Sequence, residues 1–235
     1  MEKSTVDEIR ERFDRDVERF SDLESGQVST IDAALSLELI AESARRLVPG
    51  AQDLLDVGCG AGNYTLKMLE KRPGLNCTLL DLSRPMLDRA QVRVSAQTSG
   101  RVVTIQQDIR EADPGEKRYD IVLSGAALHH LRQDDEWEGV FVKLYRCLRP
   151  GGCLMISDLI AQQAETLTAY FSERYGDYLA ALGGTAYRDR VLAYVEKEDT
   201  PRSLNYQLKL MERVGFRYVE VLHKNGCFAA YGAIR

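Results

Sequence analysis

Val6, Ile9, Phe13, Val17 and Phe20 recur at spacings of three and four, which predicts one amphipathic helix over residues 4–20. The stretch ESGQ breaks it, and a second helix is expected from Thr30 or Ile31 to Val48, closed by Pro49-Gly50. From residue 53 short apolar runs alternate with amphipathic ones. DLLDVG, NCTLLDLS, VVTIQQDI, YDIVLSGAAL and CLMISDLI read as strands, the fourth running into a loop. NYTLKMLEKR, RPMLDRAQVRVSAQ and DDEWEGVFVKLYRCL read as the helices between them, stopped at Pro73-Gly74 and at RPGG. Such alternation predicts parallel βαβ units and a doubly wound α/β sheet with helices on both faces.

After Ile160 the pattern changes. Residues 161–195 read as helical, broken at LGGTAY, and carry Tyr170, Tyr175, Tyr178, Tyr187 and Tyr194. A helix near 203–214 ends at Gly215, and FRYVEVLHK and CFAAYGAIR come next as two strands joined by Asn225-Gly226. That dipeptide between two strands signals a hairpin, so the sheet should finish with an antiparallel pair. The expected organisation is one domain over residues 1–235. It has N-terminal helices to 49, a core over 50–160, a helical cover over 161–200 at the strand C-termini, and a last helix and hairpin over 201–235.

Composition narrows the function classes. The chain has 235 residues, 44% hydrophobic and 29% charged, with a net charge of −5. This suits a folded domain and argues against an extended nucleic-acid surface. No apolar run approaches the ~20 residues that span a bilayer, and no apolar signal core follows the first Met. The five cysteines are scattered and form no C-x-x-C pair. That fits reduced thiols in the cytoplasm, with no metal expected.

Candidate chemistry centres on Gly58-Cys59-Gly60-Ala61-Gly62. The spacing is G-x-G-x-G rather than the dinucleotide G-x-G-x-x-G, and Asn63 occupies the fourth spacing position. Glycine allows positive φ and close approach of a ligand to the backbone; the plainer reading is a tight strand-to-helix turn. Asp81 ends the next strand, where a carboxylate can accept from both ribose hydroxyls. Its plainer reading is part of a helix start, since Ser83 can cap the helix expected after it. Asp108 ends the third predicted strand, placed to take an adenine amine, with Ile109 to pack on the ring.

LLDVGCGAGNYT, LLDLS, QQDI, YDIVLSGAALHHL and LRPGG together resemble the successive motifs of class I S-adenosylmethionine-dependent methyltransferases. The likeness is strong over residues 50–160 and looser at the terminal strands. It implies a seven-stranded Rossmann-like sheet with an antiparallel last strand, and S-adenosyl-L-methionine as cofactor. By position it assigns Asp56, Gly58, Cys59, Gly60 and Gly62 to the methionine end, and Asp81 and Leu82 to ribose and adenine. Met86 covers the adenosine, Asp108 and Ile109 hold adenine, and Gly125 lies near the reacting methyl. The cofactor carries a sulfonium and no phosphate, so acidic neighbours favour it over a pyrophosphate ligand, which would want a free, glycine-lined helix start.

His129 and His130 form the one histidine pair, just past a strand end. His129 is the candidate catalytic residue, as a base near neutral pH; the plainer reading is packing or capping. Arg188 and Arg190 are candidates for an anionic acceptor or for a solvated helix face. The expected function is methyl transfer to a small-molecule acceptor of unidentified chemistry, with the oligomeric state open and a homodimer among the options. Three alternatives remain. One is the loosely similar group of tRNA wobble-uridine carboxy-S-adenosylmethionine synthases, from which the chain departs by a glycine in SGAALHHL where they have asparagine. The others are a nucleotide-dependent oxidoreductase and a non-catalytic S-adenosylmethionine-binding module.

Overall fold

The computed structural model describes residues 3–22 and 27–235. Seven strands form one sheet: β1 (Asp53–Val57), β2 (Asn76–Asp81), β3 (Val102–Gln106), β4 (Tyr119–Gly125), β5 (Leu148–Leu159), β6 (Arg217–Asn225) and β7 (Phe228–Ile234). Their order is β3-β2-β1-β4-β5-β7-β6. β1 to β5 run parallel, and β7 is antiparallel to both β5 and β6. The helices are α1 (Val6–Arg15), α2 (Val17–Ser21), α3 (Ala33–Leu47), α4 (Asn63–Lys71), α5 (Arg84–Ser95), α6 (Asp134–Cys147), α7 (Glu165–Glu198) and α8 (Leu204–Val214). The doubly wound α/β sheet and its antiparallel last strand are therefore as the alternation predicts.

Period two along the strands divides the core. Leu54 and Leu79 face one layer with Ile40 and Met68, while Leu55 and Leu80 face the other with Trp137 and Phe141. Both sheet faces are covered, which is why these strands read as continuous apolar runs. The chain leaves β1 towards β2 on one side and returns through β4 on the other. This strand-order reversal opens a crevice beyond the carboxyl ends of β1 and β4, the usual ligand position in such sheets. Register aligns those ends: Val57 pairs with Leu80 on one side and Ser124 on the other, and Gly125 pairs with Ser157.

Local differences from the expectations have physical causes. The N-terminal helix is two helices, because Asp16 leaves helical geometry at ψ 13° between α1 and α2. The ESGQ break falls largely on residues 24–26, outside the described residues. α3 begins at Ala33, after Asp32 takes a left-handed φ of 56°. β3 ends at Gln106, so Asp108 stands in the following turn rather than on the strand. β5 starts at Leu148 instead of Cys153: the RPGG segment stays in the sheet through an irregularity opposite Tyr119–Ile121. The break at LGGTAY is real, with Gly183 and Gly184 non-helical inside α7 and Gly184 at φ 78°.

The antiparallel end is clamped by one buried polar pair. The Tyr231 hydroxyl on β7 donates to Gln207 Oε1 on α8, and both residues are 0% exposed. Gln207 Nε2 in turn donates to the Arg202 carbonyl at 3.1 Å. Tyr231→Phe removes the donor and leaves a buried amide oxygen unpaired, at a cost of about 1–3 kcal/mol. Urea unfolding should show a lower midpoint with an unchanged slope; an unchanged midpoint would mean that the pair does not hold β7 to α8.

Candidate functional site

A cavity of about 860 Å³ lies at the carboxyl ends of the strands. Its floor is the turn between β1 and α4, where Gly58, Gly60 and Gly62 have φ of 67°, 50° and 88°. These three glycines do different work. A Cβ on Gly58 would stand 2.4 Å from the Ala127 Cβ, so the loop after β4 can close onto it. Gly60 meets nothing within 4 Å and faces the cavity. Gly62 lies outside the lining; a Cβ there would press on Ala90 and Val94 of α5, at 3.3 and 3.2 Å.

Asp81 holds the floor in place. Its Oδ2 accepts from Gly60 N at 2.8 Å and its Oδ1 from Ser83 N at 2.9 Å. Burial raises its pKa, against the pull of these backbone donors. Each oxygen keeps a lone pair for a further donor. Ser83 caps α5 through its contact with Met86 N, as the plainer reading of the LLDLS segment expects, and Asp81 borders the cavity. Leu82 and Met86 line the same wall.

Asp56 does not line the cavity. Its Oδ2 accepts from Thr65 N at 3.2 Å and Thr65 Oγ1 at 2.6 Å, capping α4 from behind, and its Oδ1 has no hydrogen-bond partner. Asp108 and Ile109 do line the cavity, but Asp108 is already gripped by Arg110, which reaches on to Glu136 at 2.9 Å. Cys59 lines the cavity and is buried. Gly125 borders it too, yet what requires glycine there is the Tyr64 ring, which a Cβ would meet at 2.2 Å.

His129, the expected base, has both ring nitrogens turned to carboxylates. Its Nδ1 bonds to Asp158 Oδ1, its backbone N donates to Asp158 Oδ2 at 3.1 Å, and its Nε2 faces Asp199 Oδ1 at 3.6 Å. Burial favours the neutral ring, but the Asp158 and Asp199 carboxylates overcome it and raise the pKa to about 9. In that charged form Nε2 carries a proton and has no lone pair, so only a partner that displaces the proton can bind there. Burial also lifts Asp199, to about 6, against the pull of His129. His130 is driven the other way, well below its ordinary range, by burial and by the neighbouring His129 charge.

The roof comes from α1, α2 and α7. Arg12 Nε donates to both Glu198 oxygens at 2.9 Å, joining α1 to the end of α7, and Ser4 N reaches the Lys197 carbonyl at 3.2 Å. Asn63 Nδ2 donates to the Phe20 carbonyl at 3.0 Å, tying α2 to the glycine turn, and Arg93 supports Asn63 Oδ1 at 2.9 Å. Tyr175, Tyr187 and Tyr194 line the cavity with Phe13, Phe20 and Phe228, whereas Tyr170 and Tyr178 do not. Arg190 borders the cavity over the Tyr187 ring, 5.3 Å from its centroid; Arg188 pairs with Asp189 instead. Asp158, Asp199, Arg12 and Tyr64 were missed by sequence reasoning. Asp158 offered a signal, an acidic residue at a strand end like Asp81; the others offered none.

A family profile described as a methyltransferase domain matches residues 54–152, the span that builds the cavity floor. Residues 54–152 carry a methyltransferase domain. It is 28% identical over 196 residues to a carboxy-S-adenosyl-L-methionine synthase from Vibrio atlanticus, covering 82% of this chain and 80% of that protein. It is 29% identical over 105 residues to a malonyl-[acyl-carrier protein] O-methyltransferase from Ilyobacter polytropus, covering 45% and 38%. An O-methyltransferase family protein from Burkholderia thailandensis superposes with a TM-score of 0.67 at 18% identity, over 95% of this chain and 61% of that one. Human N-acetylserotonin methyltransferase in complex with SAM gives 0.61 at 16% identity, over 95% and 57%. The chain thus spans about three fifths of those two structures. Among the described residues no helix is long and apolar enough to cross a membrane.

The cofactor of such a methyltransferase domain, S-adenosyl-L-methionine, fits what the cavity offers: open space at Gly60, spare acceptor capacity on Asp81, and carboxylates rather than a basic clamp. Asp56, behind the floor, has a measurable signature. Burial raises its pKa from 3.8 to about 7. The folded state holds this proton more tightly than the unfolded chain does, so the stabilisation is fully present below the ordinary carboxylate pKa. It is lost as pH rises through about 7. Asp56→Asn, which never ionises, should therefore gain thermal stability relative to wild type between about pH 5 and about pH 8. A difference in melting temperature that stays constant across that range would show that Asp56 ionises freely in the fold.

Proposed function

We propose that this enzyme transfers the methyl group of S-adenosylmethionine to a small-molecule acceptor held against the aromatic wall of the cavity. The observation that carries this reading is the continuity of one cavity. It runs from the glycine turn and Asp81 to Phe13, Tyr187 and Tyr194 beneath the roof. The bound cofactor supplies a methyl group on a sulfonium, whose positive charge is lost as the methyl leaves. The chain's own residues bind, orient and dry the site. Asp81 accepts from the ribose, Met86, Ile109 and Leu82 enclose the adenosine, and the loop from Gly125 to Ala127 borders the transfer site. Residues 161–200 and α1–α2 act as the cover that excludes water, which favours a step that disperses charge. Alignment of acceptor, carbon and sulfur is the main catalytic contribution, since His129 is not free to take a proton.

Asp81→Ala should weaken S-adenosylhomocysteine binding by about ten- to a hundredfold, the loss of charge-assisted hydrogen bonds from two hydroxyls. Calorimetry on the folded variant checks this. Because Asp81 also holds Gly60 N, Asp81→Asn should keep part of the affinity. Equal binding by wild type and Asp81→Ala would remove this residue from the cofactor site.

A second reading rests on Arg190 and on the synthase relative. A carboxylated cofactor would need a cation for its extra carboxylate, and Arg190 borders the cavity with no acidic partner among the ion pairs of the described residues. We favour the plain cofactor, because β4 ends in Gly125 where the synthases have asparagine. Competition binding should show wild type preferring S-adenosylmethionine over its carboxylated form, with little change in Arg190→Ala. Strong preference for the carboxylated form, lost in the variant, would reverse the assignment.

A further inference from the structure

His129, His130 and Asp199 bring three donor atoms to one point on the cavity wall. Their ligand atoms all lie within 4.8 Å of one another. Asp199 Oδ1 is 3.6 Å from His129 Nε2 and 3.4 Å from His130 Nδ1. These are too long for hydrogen bonds, yet both separations from Asp199 suit the edge of a metal polyhedron, and the two histidine nitrogens lie within 4.8 Å of each other. Donors at ~2.0–2.1 Å from one tetrahedral ion stand ~3.4 Å apart.

The surroundings point the same way. The Asp199 side chain is 3% exposed, and its Oδ1 has no hydrogen-bond partner. An orphaned buried carboxylate oxygen is costly and calls for a partner. His130 Nδ1 is likewise without one. His129 is already oriented as metal-ligating histidines are: Nδ1 on the Asp158 carboxylate, Nε2 turned to the common point. Arg12 is committed to Glu198, and once the His129 proton is displaced Asp158 and Asp199 face that point as carboxylates.

We propose that His129 Nε2, His130 Nδ1 and Asp199 Oδ1 form a binding site for one divalent transition-metal ion, with Asp158 as the outer carboxylate that orients His129. Two nitrogens and one oxygen suit zinc, cobalt, nickel or iron(II) better than magnesium or calcium, which want oxygen ligands. All three ligand residues border the cavity. Binding of the ion does not depend on the methyl-transfer reading, but its use does. On that reading the ion receives an acceptor through a hydroxyl oxygen and lowers that group's pKa, and its proton leaves to solvent. The oxygen lone pair then forms the O–CH3 bond as the S–CH3 bond breaks, its electron pair returning to sulfur as a neutral thioether.

The test uses the full chain, stripped with chelator and titrated with cobalt(II) alone. Wild type should bind one equivalent with the intense visible d–d bands of a four- or five-coordinate ion. Asp199→Asn, nearly isosteric, and His130→Gln should each weaken binding by about tenfold or more while circular dichroism stays that of wild type. Calorimetry with S-adenosylhomocysteine, run on the same samples, reports the cofactor reading separately. Two outcomes overturn the proposal: no cobalt bands in wild type, which leaves the cluster as a proton held between carboxylates, or equal bands in wild type and both variants, which places the ion elsewhere.

Discussion

The Asp81 carboxylate is the contact on which the cavity depends. One oxygen holds the amide of Gly60 and the other the amide of Ser83, so a single side chain at the end of β2 fixes both the turn after β1 and the start of α5. Backbone at positive φ has few other ways to be held, because its glycines bring no side chains of their own. The buried carboxylate is stabilised by the amides it organises. Everything above that floor is positioned relative to it: Met86 through the Ser83 cap, α4 through Gly62, and the β4 loop through the fit of Ala127 against Gly58.

Much of the fold was legible because it is written in short periods. Leu54-Leu55 and Leu79-Leu80 each place one residue on either sheet face, so a run of apolar residues suffices to announce a strand covered on both sides. The Asn225-Gly226 turn announced the antiparallel end in the same local way. Some of what was misread turned on where strand pairing stops and on which side chain meets the residue beyond it. Asp108 looked like a strand end because apolar alternation runs through Ile105, yet its pairing stops at Gln106 and Arg110 then takes the carboxylate.

The site was legible to the same limit. Gly58, Gly60, Asp81 and Met86 sit where their motifs imply, because strand, turn and helix are consecutive. Asp56 carries the same motif and faces the other way, since a strand's side chains alternate and Thr65 waits behind it. His129 is the sharper case. In sequence it is a histidine after a strand, suited to proton transfer. Only the fold brings Asp158 and Asp199 to its two ring nitrogens, and those two carboxylates change what the ring can do. No spacing rule connects position 129 with 158 and 199.

The tie between Arg12 and Glu198 has a consequence for how the molecule comes to exist. Those residues are 186 positions apart, so the roof is among the contacts of highest sequence separation in the chain. Such contacts incur their loop-closure entropy late. During synthesis the first helices emerge well before the residues that anchor them, and the intervening βαβ units can assemble while α1 and α2 remain unanchored. The nascent protein thus holds a finished floor beneath an open top, with Phe13 and Phe20 exposed until the last quarter of the chain arrives. Synthesis of the end of α7, which follows β5 and precedes β6 and β7, is the event that lets the roof close over the binding chamber.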